Sequence, residues 1–157
     1  MVAGEMIMDK KQFIYICDCK LKLIRTEFSF SQEKMALMLG ISKKTLVEIE
    51  KGRSSLGWTG SVALCYLFGE SEILTGCFGG KPTELILALA FEGSEPQTPK
   101  TMRGKVWWQT IKENKTHSIQ QNIISQHYRL LDADGKRAAS SFDIEDLMDL
   151  FFKGEGL

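Results

Sequence analysis

No stretch of this 157-residue chain is apolar for the eighteen or so residues that a membrane-crossing helix needs, so no membrane span is expected. Residues 1–9 lack the charged start and apolar core of a signal peptide, and a cytoplasmic location follows as the expectation. An excess of charge of either sign is also missing. Twenty basic and twenty acidic residues leave a formal net charge of zero, which argues against a generally basic nucleic-acid binder. Cysteines are few: Cys17, Cys19, Cys65 and Cys77. Cys17 and Cys19 form a C-x-C pair, but on a helix they point about 200° apart. No second ligand pair stands at zinc-site spacing, and the two histidines, His117 and His127, lie in another region. Free, mostly buried thiols are the better reading, and no metal or other cofactor is expected. No Ser-His-Asp or Cys-His arrangement has catalytic spacing, no glycine-rich phosphate loop follows a strand, and no paired carboxylates mark hydrolysis. No enzyme activity is expected.

What is present is the composition of a soluble globular protein, 43% hydrophobic and 25% charged, long enough for one ordinary domain or two small ones. Its charge is unevenly spread. Lys20, Lys22, Arg25, Lys34, Lys43, Lys44, Lys51 and Arg53 face only Glu27, Glu33, Glu48 and Glu50 within the same stretch. The far end is acidic, with Asp143, Glu145, Asp146, Asp149 and Glu155 against Lys153. A basic front on a neutral chain is an electrostatic footprint suited to DNA.

The chain is organised around Ser31–Arg53, which reads as two short helices joined by a tight turn. Ser31 caps the first helix and Glu33 suits its positive end. Met35, Ala36 and Leu39 recur at helical spacing, and Gly40 stops the helix as a residue that accepts positive φ. Ser42 caps the second helix, Leu46 and Ile49 form its buried stripe, and Gly52 closes it. On a helical wheel Lys43, Lys44, Val47, Glu48 and Lys51 gather nearly opposite that stripe. Such a face offers cations to phosphates and guanine edges, a carboxylate to a cytosine amino group and a methyl surface to thymine. A merely solvated face is the alternative.

Arg25, Phe30, Ser31, Gln32, Met35, Ala36, Gly40, Ile41, Ser42, Leu46, Ile49, Glu50 and Gly52 stand in an order that resembles the helix-turn-helix of the phage-repressor and Cro family of bacterial transcriptional regulators, the XRE-like family. The resemblance continues from Leu56 to Leu74 and covers about half the chain. It implies a five-helix DNA-binding domain in which Lys43, Lys44, Val47 and Glu48 approach base edges. It also implies that Gln32, Ser42, Thr45, Lys51 and Arg53 meet the DNA backbone, Arg53 from a loop (53–58) where it could equally be solvated. Arg25 and Glu50 are implied to form a buried ion pair beneath the second helix, and a half-buried carboxylate without a partner would be costly. Two positions depart from the pattern: Ser29 stands where the family favours glycine, and Lys51 where arginine or asparagine is common.

The expected architecture is α+β. An all-α five-helix repressor-like domain covers residues 10–78, a short helix and linker 79–104, and a small three-stranded antiparallel sheet with a C-terminal helix 105–153. The first helix spans Lys10–Glu27 with Phe13, Cys17, Leu21 and Ile24 inward. Phe30 is expected in the core and Phe28 at its margin. Val62, Cys65 and Phe68 are expected on the inner side of a fourth helix from about Thr59 to Phe68, and Ser71 caps a fifth. Thr83–Phe91 favours a short helix by length and cap, with a strand left open because a continuous apolar run has no period. It either packs on the five helices or contributes to a dimer seam. Residues 92–104 read as a linker. Residues 106–111 alternate as a strand and 118–131 carry β-branched and aromatic residues. Asp132–Gly135 signals a hairpin, 137–142 returns, and Asp143 caps a helix whose inner face is Ile144, Leu147, Leu150 and Phe151. Trp107, Trp108, His127 and Tyr128 could line a pocket or grip a partner, but one tryptophan anchoring the core is the favoured reading. Asp132, Asp134 and Gly135 lack the later carboxylates of a calcium loop.

Three functions fit. One is a DNA-binding transcriptional regulator, a repressor acting as a homodimer on an inverted repeat in double-stranded DNA. Its C-terminal half would then serve dimerisation or sense a small effector. An antitoxin-type protein whose second half grips a protein partner is another. The last is an interaction module that keeps the helix-turn-helix as a scaffold.

Overall fold

The computed structural model describes residues 8–92 and 107–153, in two compact units divided between 97 and 98. Most of the expected linker, Val106 and residues 1–7 lie outside the described residues.

The first unit is helical: α1 Lys10–Glu27, α2 Gln32–Leu39, α3 Lys43–Glu50, α4 Gly57–Leu67, α5 Glu72–Phe78 and α6 Pro82–Phe91. Small polar side chains start four of them. Asp9 accepts from the Gln12 amide, Ser31 from Lys34, Ser42 from Thr45 and Ser71 from Leu74. Each such cap is worth about 1 kcal/mol. Gly40 ends α2 at φ 71°, a conformation in which any side chain would be strained. One face of α1, made of Phe13, Cys17, Leu21 and Ile24, is wholly buried. It meets Met35 and Ala36 of α2, Leu46 and Ile49 of α3, Leu64 and Cys65 of α4, Phe68 and Leu74 in one core. Among the described residues no helix is long and apolar enough to cross a membrane.

Five helices, α1 to α5, occupy residues 10–78, and the short helix favoured after them is the sixth. Residues 82–91 are helical and pack on α4 and α5, with Leu85, Ile86 and Leu89 against the core. Pro82 at its first turn presets the helical φ. The inner face of α4 is Ser61, Leu64 and Cys65 followed by Phe68, while Val62 is only half-buried. Phe28 and Phe30 both lie half-buried, their rings tilted edge-on to Phe68 at 5.0 and 6.0 Å, so Phe30 lines the core rather than entering it.

The second unit is a four-stranded antiparallel meander, β1 Trp108–Glu113, β2 His117–Asn122, β3 Tyr128–Asp132 and β4 Arg137–Ser141, followed by α7 Ile144–Lys153. Three strands were expected, because 118–131 reads as one. It is two, folded back at Asn122, whose carboxamide accepts from the Ile124 and Ser125 amides, with Gln126 at φ 66°. The Asp132–Gly135 turn closes as expected, Asp132 accepting from the amides of Asp134 and Lys136. Ile119 lies opposite Leu130, and Leu130 opposite Ala139. Leu147 and Phe151 of α7 cover that face, and these four buried side chains are the core. Asp143 caps α7 through the Glu145 amide, and Leu150, expected inward, is 44% exposed.

Candidate nucleic-acid interface

The second helix of the organising stretch, α3, rests on a polar buttress. Arg25 at the end of α1 donates from Nε to Glu50 Oε1 at 2.6 Å, from Nη2 to Oε2 at 3.3 Å and from Nη1 to the Phe30 carbonyl at 3.0 Å. Gln32, the first residue of α2, donates to the same Glu50 Oε2 at 2.8 Å. The Arg25 and Glu50 side chains are only 15% and 5% exposed. Burial pushes the Glu50 carboxyl up, but the hydrogen bonds of Arg25 and Gln32 with the Arg25 charge outweigh it and hold the group below its usual range. One carboxylate therefore joins three helices: α1 through Arg25, α2 through Gln32 and its own α3.

The backbone before α2 carries a related cost. Ser29 adopts φ 57°, the left-handed region that a side chain disfavours, which gives a physical reason for the family's glycine there. The strained residue turns the chain so that the Phe30 amide reaches back to the Arg25 carbonyl at 3.0 Å.

Leu46 and Ile49 are buried beneath α3, and the opposite face is outward. Its residues are not equally free. Lys43 is paired with Glu33 of α2, and this ammonium holds the exposed Glu33 carboxyl below its usual range. Glu48 faces Arg53 at 3.8 Å, and the Arg53 amide also donates to the Glu48 carbonyl. Lys44 and Lys51 are exposed and form no ion pair with a described residue, and Val47 is half-buried between them. Ser42 and Thr45 share a hydroxyl–hydroxyl bond at 2.8 Å while Ser42 caps the helix, so these two hydroxyls are already engaged. Glu33 as the partner of Lys43 was missed in the sequence: the two stand ten residues apart on different helices, outside any local pairing rule.

With this geometry in place the comparisons become informative. Residues 21–57 match the helix-turn-helix family model. The N-terminal half thus carries a helix-turn-helix of the XRE, Cro/C1 type, with α2 and α3 as its two helices. No curated protein and no solved structure matches the chain. The helix-turn-helix supports a DNA-binding transcription regulator, and the matching family is one of DNA-binding regulatory domains that are not typically enzymatic.

Neither tryptophan of the second unit belongs to its buried core, where one was expected as the anchor; the aromatic residue there is Phe151. Trp108 is half-buried on the sheet face turned away from Ile119 and Leu130, with the Arg129 guanidinium 3.7 Å over its ring and His127 edge-on at 5.0 Å. Gln120 accepts from Arg129 Nε and Nη2 at 3.0 and 2.7 Å. Trp107 is 46% exposed, and Tyr128 packs partly on the core. Among the described residues no cluster of His, Cys, Asp or Glu could hold a metal ion. Cys17 and Cys65 are buried, Cys77 half-buried and Cys19 exposed, all as free thiols.

Proposed function

We propose that the chain is a transcriptional repressor that binds an inverted repeat in double-stranded DNA as a homodimer, with α3 in the major groove. The observation that carries this reading is the outward face of α3, with Lys44, Val47 and Lys51, set on the Arg25–Glu50–Gln32 buttress. A helix whose base and side are fixed by buried charge-assisted bonds presents its outer residues without first paying to order them, and preorganisation raises affinity by lowering that entropy loss.

Lys44 and Val47 then meet base edges, joined by Lys43 and Glu48 once their intramolecular partners are exchanged for DNA. Glu33 and Lys43 are both exposed and Glu48 is held only at 3.8 Å by an exposed Arg53, so water screens both pairs and the exchange is inexpensive. Lys51 and Arg53 supply backbone cations. Ser42 and Thr45 offer the amide-rich start of α3 to a phosphate, and Gln32 offers its second amide hydrogen. One such helix reads only a few base pairs, so useful affinity requires two half-sites about one helical turn apart. The second unit supplies dimerisation or effector sensing in this reading.

The test is selection from a random duplex pool with sequencing of the bound fraction. Enrichment of an inverted repeat with half-sites about 10 base pairs apart is expected. Enrichment of a lone half-site would contradict the dimer, and no enrichment would contradict sequence reading altogether.

A further inference from the structure

We propose that Cys17 and Cys65 are a reversible oxidation site, closing to a disulfide in the core of the helical unit on exposure to a hydroperoxide. Cys17 lies on the buried face of α1 and Cys65 on the buried face of α4, 48 residues apart in sequence, with their sulfurs 3.8 Å from each other. A disulfide needs about 2 Å between sulfurs, so the gap is closed by small χ1 rotations and a slight approach of two helices already in contact.

The surroundings set this pair apart from the rest of the core. The other buried residues of the cluster are aliphatic, aromatic or methionine. Beside the thiols, α4 buries the Ser61 hydroxyl, which has no hydrogen-bond partner among the described residues and lies close enough to Cys17 to act on its titration. Three weakly polar groups therefore meet at one point of the α1–α4 seam. The start of α4 has Gly57 and Gly60 in its first turn and is held to α1 by the Leu56 amide, which donates to Asp18 at 2.8 Å, so breaking that one bond is the route for local opening of the seam.

The two sulfurs are not equivalent. The hydrogen bond between them, in which either sulfur can be the donor, holds Cys65 below the ordinary thiol range, while that bond and burial push Cys17 up. Cys65 is accordingly the nucleophile. Its thiolate attacks one peroxide oxygen, the O–O bond breaks, and hydroxide leaves with a proton from solvent as water, leaving a sulfenic acid on Cys65. Cys17 then attacks that sulfur and loses its proton, the S–O bond breaks, and the hydroxyl leaves as a second water. Two thiols are oxidised by two electrons in all, and one hydrogen peroxide is reduced to two waters. A dithiol returns the pair to its reduced state.

The exposed Cys19 and half-buried Cys77 react independently, so the experiment uses the full chain with Cys19→Ser and Cys77→Ser. Hydrogen peroxide is added without denaturant, circular dichroism verifies that the helices persist, and the protein is then unfolded, alkylated and weighed. The expected result is loss of two hydrogen atoms in mass, no alkylatable thiol and full reversal by dithiothreitol. Two thiols still alkylated, or oxygen atoms added without a cross-link, would overturn the proposal. Should the double variant fail to fold, the unsubstituted chain serves, with fragment spectra of its cross-linked peptides. A Cys17–Cys65 link supports the site, and links confined to Cys19 and Cys77 refute it.

Discussion

Removing the Arg25 side chain tests the buttress on which the α3 face depends. Arg25→Ala deletes three hydrogen bonds, two to Glu50 and one to the Phe30 carbonyl, and leaves the 5%-exposed Glu50 with Gln32 as its remaining hydrogen-bond donor. Breaking one side of a buried pair costs about 3–5 kcal/mol at neutral pH, because the surviving charge keeps its desolvation penalty. That is a large share of the roughly 5–15 kcal/mol that holds a domain together. With a urea slope of about 1–3 kcal/mol/M, the midpoint should fall by at least about 1 M. Ellipticity at 222 nm is the readout, since six of the seven described helices lie in the first unit.

The pH dependence sharpens the test. In the native protein the Glu50 carboxyl titrates below its unfolded value of about 4.3, so its contribution is present above that pH and is lost as pH falls through the depressed native value. In Arg25→Ala burial acts with less opposition and raises the native-state value, so protonation relieves the penalty as the solution is acidified. The stability gap between the two proteins should therefore narrow from pH 7 toward pH 4.5. Arg25→Met with Glu50→Met, which removes both charges, should return much of the lost stability. Equal midpoints at pH 7, or a gap that widens on acidification, would refute the reasoning.

Further outcomes follow from single residues. Ser29→Gly should raise thermal stability by about 0.5–1 kcal/mol, the relief of left-handed strain exceeding the added freedom of the unfolded chain; a lower melting temperature would contradict it. Gln32→Ala should lose about 1 kcal/mol in urea unfolding and weaken binding to every duplex alike, whereas a loss confined to one operator variant would exclude a backbone role. Phe151→Ala should cost about 3–5 kcal/mol in the second unit, followed by the fluorescence of Trp107 and Trp108, because the ring fills the centre of a four-residue core.

The helix-turn-helix was legible because its signals are local. Ser31, Gly40 and Ser42 mark starts and stops by their own backbone chemistry, and Leu46 and Ile49 sit at helical spacing. The second unit was less legible for equally physical reasons. The turn between β2 and β3 has no glycine or proline and is built from the Asn122 carboxamide and a left-handed Gln126. The only hint was length, since 14 residues exceed the usual strand of about 3–10. Tryptophan placement depended on which sheet face Trp108 takes, and thus on a register that shifts between Thr110 and Lys112. A continuous apolar run hides its period, so α6 could be read either way. At the interface, the identity of the outward residues was readable, but their partners were not. The Lys43–Glu33 pair and the Gln32–Glu50 bond join residues from different helices, and only folding brings them together.

The most direct measurement is the affinity of the native chain and of Lys44→Ala for the selected inverted repeat and for a scrambled duplex, each across a salt series. Lys44 is exposed and pairs with no described residue, so its loss should leave the urea midpoint unchanged. The account predicts a loss on the selected duplex of about 1–3 kcal/mol, a smaller loss on the scrambled one, and thus a reduced specificity ratio. Native-like affinity and specificity in Lys44→Ala would contradict a DNA-reading role for the outward face of α3.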